Sequence, residues 1–449
     1  MTDYQRIQAP TQNTGYAWMV VCILTLSYAF AFIDRQVLNL LVEPIKKGFE
    51  LQDTQISLLQ GLAFVSAYVL GGPIAGRMVD VSHRRNIIAV GVALWSVCTA
   101  LCGLATSYGA LFAARVGVGA AEACLMPAAW SLIADYFSRE KLPRAMSLYL
   151  LGPYLGGGCA LILGGMVVGA ASKATVEFGP LGVLEPWRLV FVCAGLLGLV
   201  PVLLTLLIRE PARQALNAAA TTAERFTIGE IARFIWHGRA FYVAFFIGVA
   251  VLTIVLYAFQ AWIPAFFSRR FSVSIRDIGF QYGMLVLLMG CLGVLSGPVI
   301  GRWLQRRGHR DFALRAPLIA AICVVPFAAM LPFCRSYAQA LVSCAGVTYF
   351  CAMPLAMAAS GLQLVTPNRM RGIVSAIYMF MISVVGVAIP PTVIALLTDR
   401  VFQDPAMVGW SLAIVCVASA LIAAAVIARS LGAFRAALVA AETPTTEIA

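Results

Sequence analysis

Long apolar runs separated by short polar turns make up most of this 449-residue chain. A helix needs roughly 20 consecutive apolar residues to cross a bilayer core. Runs of that length fall near 17–40, 56–79, 87–107, 109–133, 143–171, 187–208, 240–267, 277–301, 314–334, 337–364, 371–398 and 407–429. The pattern predicts an all-α integral membrane protein with twelve transmembrane helices in two pseudo-symmetric six-helix bundles. The longest polar stretch, 209–239, divides a first bundle (1–208) from a second (240–449). Its FTIGEIARFIWHGR segment suits a short helix on the membrane surface. The first run follows polar residues without a small-residue cleavage site, so no secretory leader is expected. Trp18, Trp187, Trp262 and Trp410 fall near helix ends, as interfacial aromatics do.

The two halves echo each other. GPIAGR at Gly72–Arg77 returns as GPVIGR at Gly297–Arg302, each followed by paired arginines (Arg84-Arg85, Arg306-Arg307). RAMSLYLLGPYLGGG from Arg144 returns as RGIVSAIYMFMISVVG from Arg371, at nearly the same offset. Duplicated hydrophobic halves with basic turns at matching places are how secondary transporters are built, with the site between the halves.

Composition agrees with a bilayer setting. Hydrophobic residues make up 61% of the chain and charged residues 12%, with a mean hydropathy of +0.88. A soluble protein of this size could not bury that much apolar surface. The net charge of +12 resides in turn arginines rather than on a basic face, so no nucleic-acid partner is expected. Most lysines and arginines fall on the side of the termini. Both termini are therefore expected in the cytoplasm, in the inner membrane of a bacterium. The 12 cysteines are scattered singly with no CxxC or Cys/His ligand spacing, so neither disulfide framework, metal nor other cofactor is expected.

Charge at bilayer depth is costly and usually functional. Of the 20 acidic residues, nearly all fall in loops or at helix ends; Asp34 and Glu122 are the exceptions, with Arg35 and Arg115 as basic counterparts. Arg115 and Glu122 are two helical turns apart, on one face and about 10 Å apart along the axis. Depth counting brings Asp34 and Arg115 together in the outer part of the membrane and leaves Glu122 deeper, without an adjacent cation. Glu122 is then expected to exchange a proton near neutral pH, with Asp34 as its partner in proton coupling. The alternative is an ion-pair network that only ties helices 1 and 4 together. All three histidines lie in turns, so none serves as an intramembrane proton carrier.

A second constellation, GRMVDVSHRRN, spans Gly76–Asn86. Gly76 would permit close helix approach. Asp80 would meet the positive N-terminal end of helix 11. Arg84 and Arg85 would pair with Asp135 and latch the two halves in one state. In the second copy Gln305 replaces the acid, so that latch would be weaker.

GRMVDVSHRRN resembles the loop 2–3 signature of the major facilitator superfamily, and the resemblance covers the whole chain. FIDRQVLNLLVEPIKKGFELQDTQISLLQGLAF, ARVGVGAAEACLMPAAWSLIADYF and EPWRLVFVCAGLLGLVPVLLTLLIREPAR are similar to bacterial members of the Spinster family. That resemblance implies proton-linked, alternating-access transport of lysophospholipids or sphingosine-phosphate-like amphiphiles, with Asp34, Arg35, Arg115 and Glu122 at the family's charged positions. Organic-anion:proton symporters of the superfamily carry a similar charge set, so small organic anions stay open as the alternative cargo. GPYLGG at Gly152–Gly157 resembles an antiporter motif, or is simple glycine-mediated packing.

The residues add a hint about cargo. Buried charge is confined to the first half, whereas the second offers Tyr257, Gln260, Tyr349, Gln363, Tyr378 and the MFM run at Met379–Met381. One charged wall and one apolar wall suit an anionic head on Arg35 or Arg115 with an apolar tail opposite, unless the Met and Phe only pack or face lipid. The expected partners are that substrate, protons and membrane lipids, and the chain is expected to act as a monomer. No nucleophile or metal spacing lies at membrane depth, so an enzyme is not expected. A non-transporting sensor on the same scaffold is the other alternative.

Overall fold

A computed structural model describes residues 14–138, 141–171, 185–211, 228–366 and 370–442. The described residues hold 11 helical segments long and apolar enough to cross a membrane. These are Gly15–Leu40, Asp53–Val79, Arg84–Leu104, Tyr108–Tyr136, Arg144–Ala171 and Pro186–Leu206, then Arg239–Phe271, Ile275–Arg306, Phe312–Phe333, Ile373–Phe402 and Pro405–Val439. The remaining predicted crossing is broken into Tyr337–Ala352 and Leu355–Val365, because Met353 and Pro354 form a turn within it. Counting that pair as span 10 gives spans 1–12 in chain order. A helix Ile228–His237 precedes span 7, where the sequence predicts one.

Local chemistry starts several spans. Ser107 accepts the Ala110 amide at 3.2 Å ahead of span 4, and Ser274 accepts that of Asp277 at 3.1 Å ahead of span 8. Ser336 and Gln339 form a reciprocal capping box at span 10. The repeated GPxxGR string places Pro73 and Pro298 inside spans 2 and 8.

With lipid as apolar as leucine, helices associate through close backbone packing, and small residues allow it. Gly156 of span 5 lies against the Ala29 carbonyl of span 1, and Gly119 of span 4 against the Phe64 carbonyl of span 2. A Cβ on Gly158 would stand 2.6 Å from that of Leu287 and 2.8 Å from the Gly283 carbonyl, which locks span 5 to span 8. The GPYLGG run is thus a packing ridge, one of the two readings its sequence allows. Gly76 is different. An added Cβ there meets nothing within 4 Å, so it borders open space rather than a close helix crossing. Its counterpart Gly301 sits 2.6 Å from Met357 Sδ by the same measure.

An even number of crossings returns both described ends to one face, here called the terminal face. Among the described residues, the polar links between the halves gather toward the opposite, far face. Buried Asp53 accepts from Arg269 at 2.6 and 2.8 Å and from Lys46 at 2.6 Å, while Glu43 accepts from Arg269 at 2.7 Å. Asp399 accepts from both the amide and the hydroxyl of Thr54, at 2.8 and 2.7 Å. Gln60 donates to the Ala261 carbonyl at 2.9 Å. Trp262 is no interfacial aromatic, because it is fully buried and donates to the Pro391 carbonyl at 3.1 Å. Trp187 is likewise buried.

Candidate functional site

Adjacent side chains on a helix point about 100° apart, so Asp34 and Arg35 of span 1 reach different groups of span 4. Asp34 accepts from Arg115 at 3.2 Å, and Arg35 pairs with Glu122. Arg115 and Glu122 lie two turns apart on one face of span 4, so span 1 meets them with two complementary charges. The expectation that Glu122 has no adjacent cation is therefore corrected. Depth counting from the sequence places Arg35 by its height in span 1 but not by its azimuth, which turns it onto Glu122. The Arg35 guanidinium is 4.0 Å from the centroid of Phe64 and 4.7 Å from that of Phe32, so aromatic faces add cation–π attraction.

Satisfaction is incomplete. Asp34 Oδ1, Arg35 Nε, Arg115 Nε and Glu122 Oε2 are buried and have no hydrogen-bond partner. A buried charge pair with unmet lone pairs and protons is costly to keep, and such sites are candidates for a working role rather than a structural one.

The pairs differ in access. Arg35 and Glu122 line a central cavity of about 180 Å³ together with Tyr28, Tyr68, Tyr154 and Tyr257. Asp34 and Arg115 sit behind that wall, only 3% and 1% exposed. Arg115, an expected head-group contact, is thus not on the cavity surface, and Arg35 takes that position. Among the expected residues of the second half, Tyr257, Gln260 and Tyr378 line the cavity. Tyr349 does not, and stacks edge-on against Phe350 at 5.1 Å. The side chains of Gln363 and Asp80 lie outside the described residues.

The basic turn works within one half. Arg84 pairs with Asp135 and donates to Ser131 at 2.8 Å and to Glu210 at 2.7 Å. The Arg85 amide donates to the other Glu210 oxygen at 3.0 Å. Burial pushes the Glu210 carboxyl up, but the Arg85 amide and the Arg84 guanidinium outweigh it and hold it below the ordinary glutamate range. This corrects the expected latch. Among the described contacts, Arg84, Arg85 and Asp135 tie the ends of spans 3 and 4 to Glu210, just past span 6, rather than to the second half.

Several lining residues escaped the sequence reading. Tyr28, Phe64, Tyr68, Met126, Trp130 and Tyr154 border the cavity. Trp130 carried a usable signal, since it lies on the face of span 4 that bears Glu122. A ladder from Asn39 to Gln36 and from Gln60 to Asn39, each 3.1 Å, links spans 1 and 2 just beyond the charges. Among the described residues, no group of three or more His, Cys, Asp or Glu could hold a metal.

The sequence model of the Major Facilitator Superfamily matches residues 24–391. An "MFS-type efflux pump" of Mycolicibacterium smegmatis is 27% identical over 394 residues, covering 86% of each protein. "Protein spinster" of Drosophila melanogaster is 25% identical over 69% of this chain, which spans about half (51%) of that protein's length. The "Hexuronate transporter" of Escherichia coli K12 is 24% identical over 64% of this chain and 67% of its own. In fold, the chain is similar to a bacterial homologue of the human lysosomal transporter Spinster in an inward-facing, unoccupied conformation. That match has a TM-score of 0.75 and 22% identity, and covers 96% of this chain and 99% of that one. A D-xylose-proton symporter matches with a TM-score of 0.68 and 16% identity, over 91% of this chain and 97% of its own.

Proposed function

The chain belongs to the major facilitator superfamily, and from that premise we propose that it is a proton-coupled, alternating-access carrier of an anionic amphiphile of the lysophospholipid or sphingosine-phosphate type. It is a multi-pass membrane transporter and not an enzyme. In our reading both termini face the cytoplasm, following the lysine and arginine excess.

One observation carries the proposal. Arg35 and Glu122 pair on the surface of a cavity whose other walls are mostly aromatic and aliphatic. An anionic head group entering that cavity competes with Glu122 for Arg35. A displaced carboxylate at that depth would be an uncompensated buried charge, which costs several kcal/mol. Glu122 therefore takes a proton as the anion binds, and by linkage each ligand raises affinity for the other. Asp34 and Arg115, one layer behind, complete the coupling network by holding span 1 against span 4 and balancing the charge that moves. The resemblance of this chain's motifs to the Spinster family favours the amphiphile. The hexuronate transporter supports a small acid on the same arginine, which is the second reading.

Proteoliposomes separate the two. Under an imposed pH gradient, palmitoyl lysophosphatidylglycerol should move with protons and glucuronate should not. Glu122→Gln should abolish the gradient-driven component while the protein still elutes as a folded species. Unchanged proton-driven flux in that variant would remove Glu122 from the mechanism, and glucuronate flux without lysolipid flux would favour the small-acid reading.

A further inference from the structure

The central cavity has a neighbour beyond its aromatic walls. Tyr68, Met126, Trp130, Met379 and Ser383 line it and also line a cleft of about 880 Å³, so the two spaces adjoin across these side chains. The cleft runs toward the terminal face between spans 2, 4 and 11 and is bordered by Gly72, Gly76, Ile373 and Phe380. A Cβ on Gly72 or Gly76 would meet nothing within 4 Å. The opposite seam, between spans 5 and 8, is closed by the Gly158–Leu287 contact. Span 11 departs from α geometry over Ile382–Ala388, where a π-turn presents Ser383 to the junction of the two spaces. Single π-turns inside helices occur frequently at functional sites.

The cleft differs chemically from the cavity it joins. Among the described residues it is lined by no charged side chain, and its border is glycine, proline, alanine, valine, isoleucine, methionine and aromatic residues with isolated hydroxyls. One polar group at the junction is unsatisfied: Trp130 Nε1 is buried and has no hydrogen-bond partner. Glu122, Met126 and Trp130 recur every four residues along span 4 and all line the cavity, with the Trp130 backbone about 12 Å nearer the terminal face by helical rise. From Arg35 outward, the order is a cation, a short aromatic passage, one free donor and a long apolar slot.

On the reading that the cargo is an anionic amphiphile, we infer that this cleft is the subsite for its single acyl chain, and that Trp130 donates to the polar linkage between head and chain. A small acid fills the central cavity and makes no use of the cleft. A chain too long for the cavity has the adjoining apolar cleft to enter.

The test measures uptake of octanoyl and palmitoyl lysophosphatidylglycerol and of hexadecyl phosphate, which has a sixteen-carbon chain and an anionic phosphate but lacks the acyl ester and the glycerol. Gly76→Leu inserts a side chain into open space, so the bundle should fold, as detergent elution and thermal unfolding will report. The ratio of palmitoyl to octanoyl uptake should fall about tenfold, the worth of roughly two buried methylenes. Trp130→Phe keeps the ring and deletes the donor, and should lower lysophosphatidylglycerol uptake relative to hexadecyl phosphate severalfold. If wild type carries both lysolipids and Gly76→Leu leaves their ratio unchanged, the cleft holds bilayer lipid rather than cargo and the inference fails while the proposed function stands. If wild type carries only glucuronate, the proposed function itself fails. Equal losses for the ester and the alkyl phosphate in Trp130→Phe would reduce Trp130 to a packing residue and overturn its role as donor.

Discussion

Asp53→Asn should release the far face. Asp53 is fully buried at the start of span 2 and receives three charge-assisted bonds, two from Arg269 of span 7 and one from Lys46. The Arg269 side chain is 7% exposed, so that part of the network is poorly screened. Hydrogen bonds to charged groups contribute about 1.5–3 kcal/mol each in net terms. Asparagine keeps one acceptor of similar shape, and Glu43 still holds one face of Arg269, so the loss to the closed state is about 2–3 kcal/mol. In the far-open state Arg269 and Lys46 meet water and lose little. The equilibrium should therefore move toward far-open by roughly 30- to 150-fold, at 1.4 kcal/mol per factor of ten. A far-open population of about one in a hundred becomes comparable with the closed one. The assay is electron–electron distance measurement between spin labels at Lys47 and Arg335, both exposed, after replacement of exposed Cys22 and Cys159. The labelled distance should lengthen in Asp53→Asn, and Asp399→Asn, which removes the charge from the neighbouring Thr54 link, should do so by less. An unchanged distribution in a folded, labelled Asp53→Asn protein would refute the claim that this cluster holds the halves together.

Other outcomes follow from the same contacts. Arg115→Met alone should cost about 3–5 kcal/mol by stranding buried Asp34, and adding Asp34→Asn should recover most of it; a thermal-unfolding double-mutant cycle with no coupling would remove the pair from the stabilising contacts. The folded-state pKa of Glu210 is depressed, so its contribution is fully present above the ordinary glutamate pKa of about 4.3 and is lost as pH falls through the folded value. Melting temperatures measured from neutral pH downward should fall less steeply with acid in Glu210→Gln than in wild type, and parallel curves would contradict the Arg84–Glu210 contact. Gly156→Leu should abolish accumulation of folded protein because its side chain must displace the Ala29 backbone, whereas Gly76→Ala should stabilise span 2 by about 0.5–1 kcal/mol; fluorescence-detected elution and melting curves compare them.

The sequence alone determined the crossings, the duplicated halves and the four charges at depth in spans 1 and 4, but not the burial of Asp53, Arg84 or Asp311. Each follows from one-dimensional chemistry: a bilayer demands long apolar helices with internally satisfied backbones, and only a few ionisable residues interrupt them. The pairing of Asp34 with Arg115 was legible for the same reason, because helical rise converts residue number into depth. Azimuth was not legible. Whether Arg35 turns to Glu122, whether Gly76 meets a helix or open space, and whether Tyr349 faces the cavity or packs on Phe350 depend on how each helix is rotated against its neighbours. Tertiary packing sets that rotation through contacts such as Gly156 on Ala29 and Gly158 on Leu287. Arg269 marks the same boundary: it stands just past the apolar run 240–267, and only the approach of spans 2 and 7 reveals it as the cation that Asp53 and Glu43 share. Depth is a property of one helix, and partnership is a property of two.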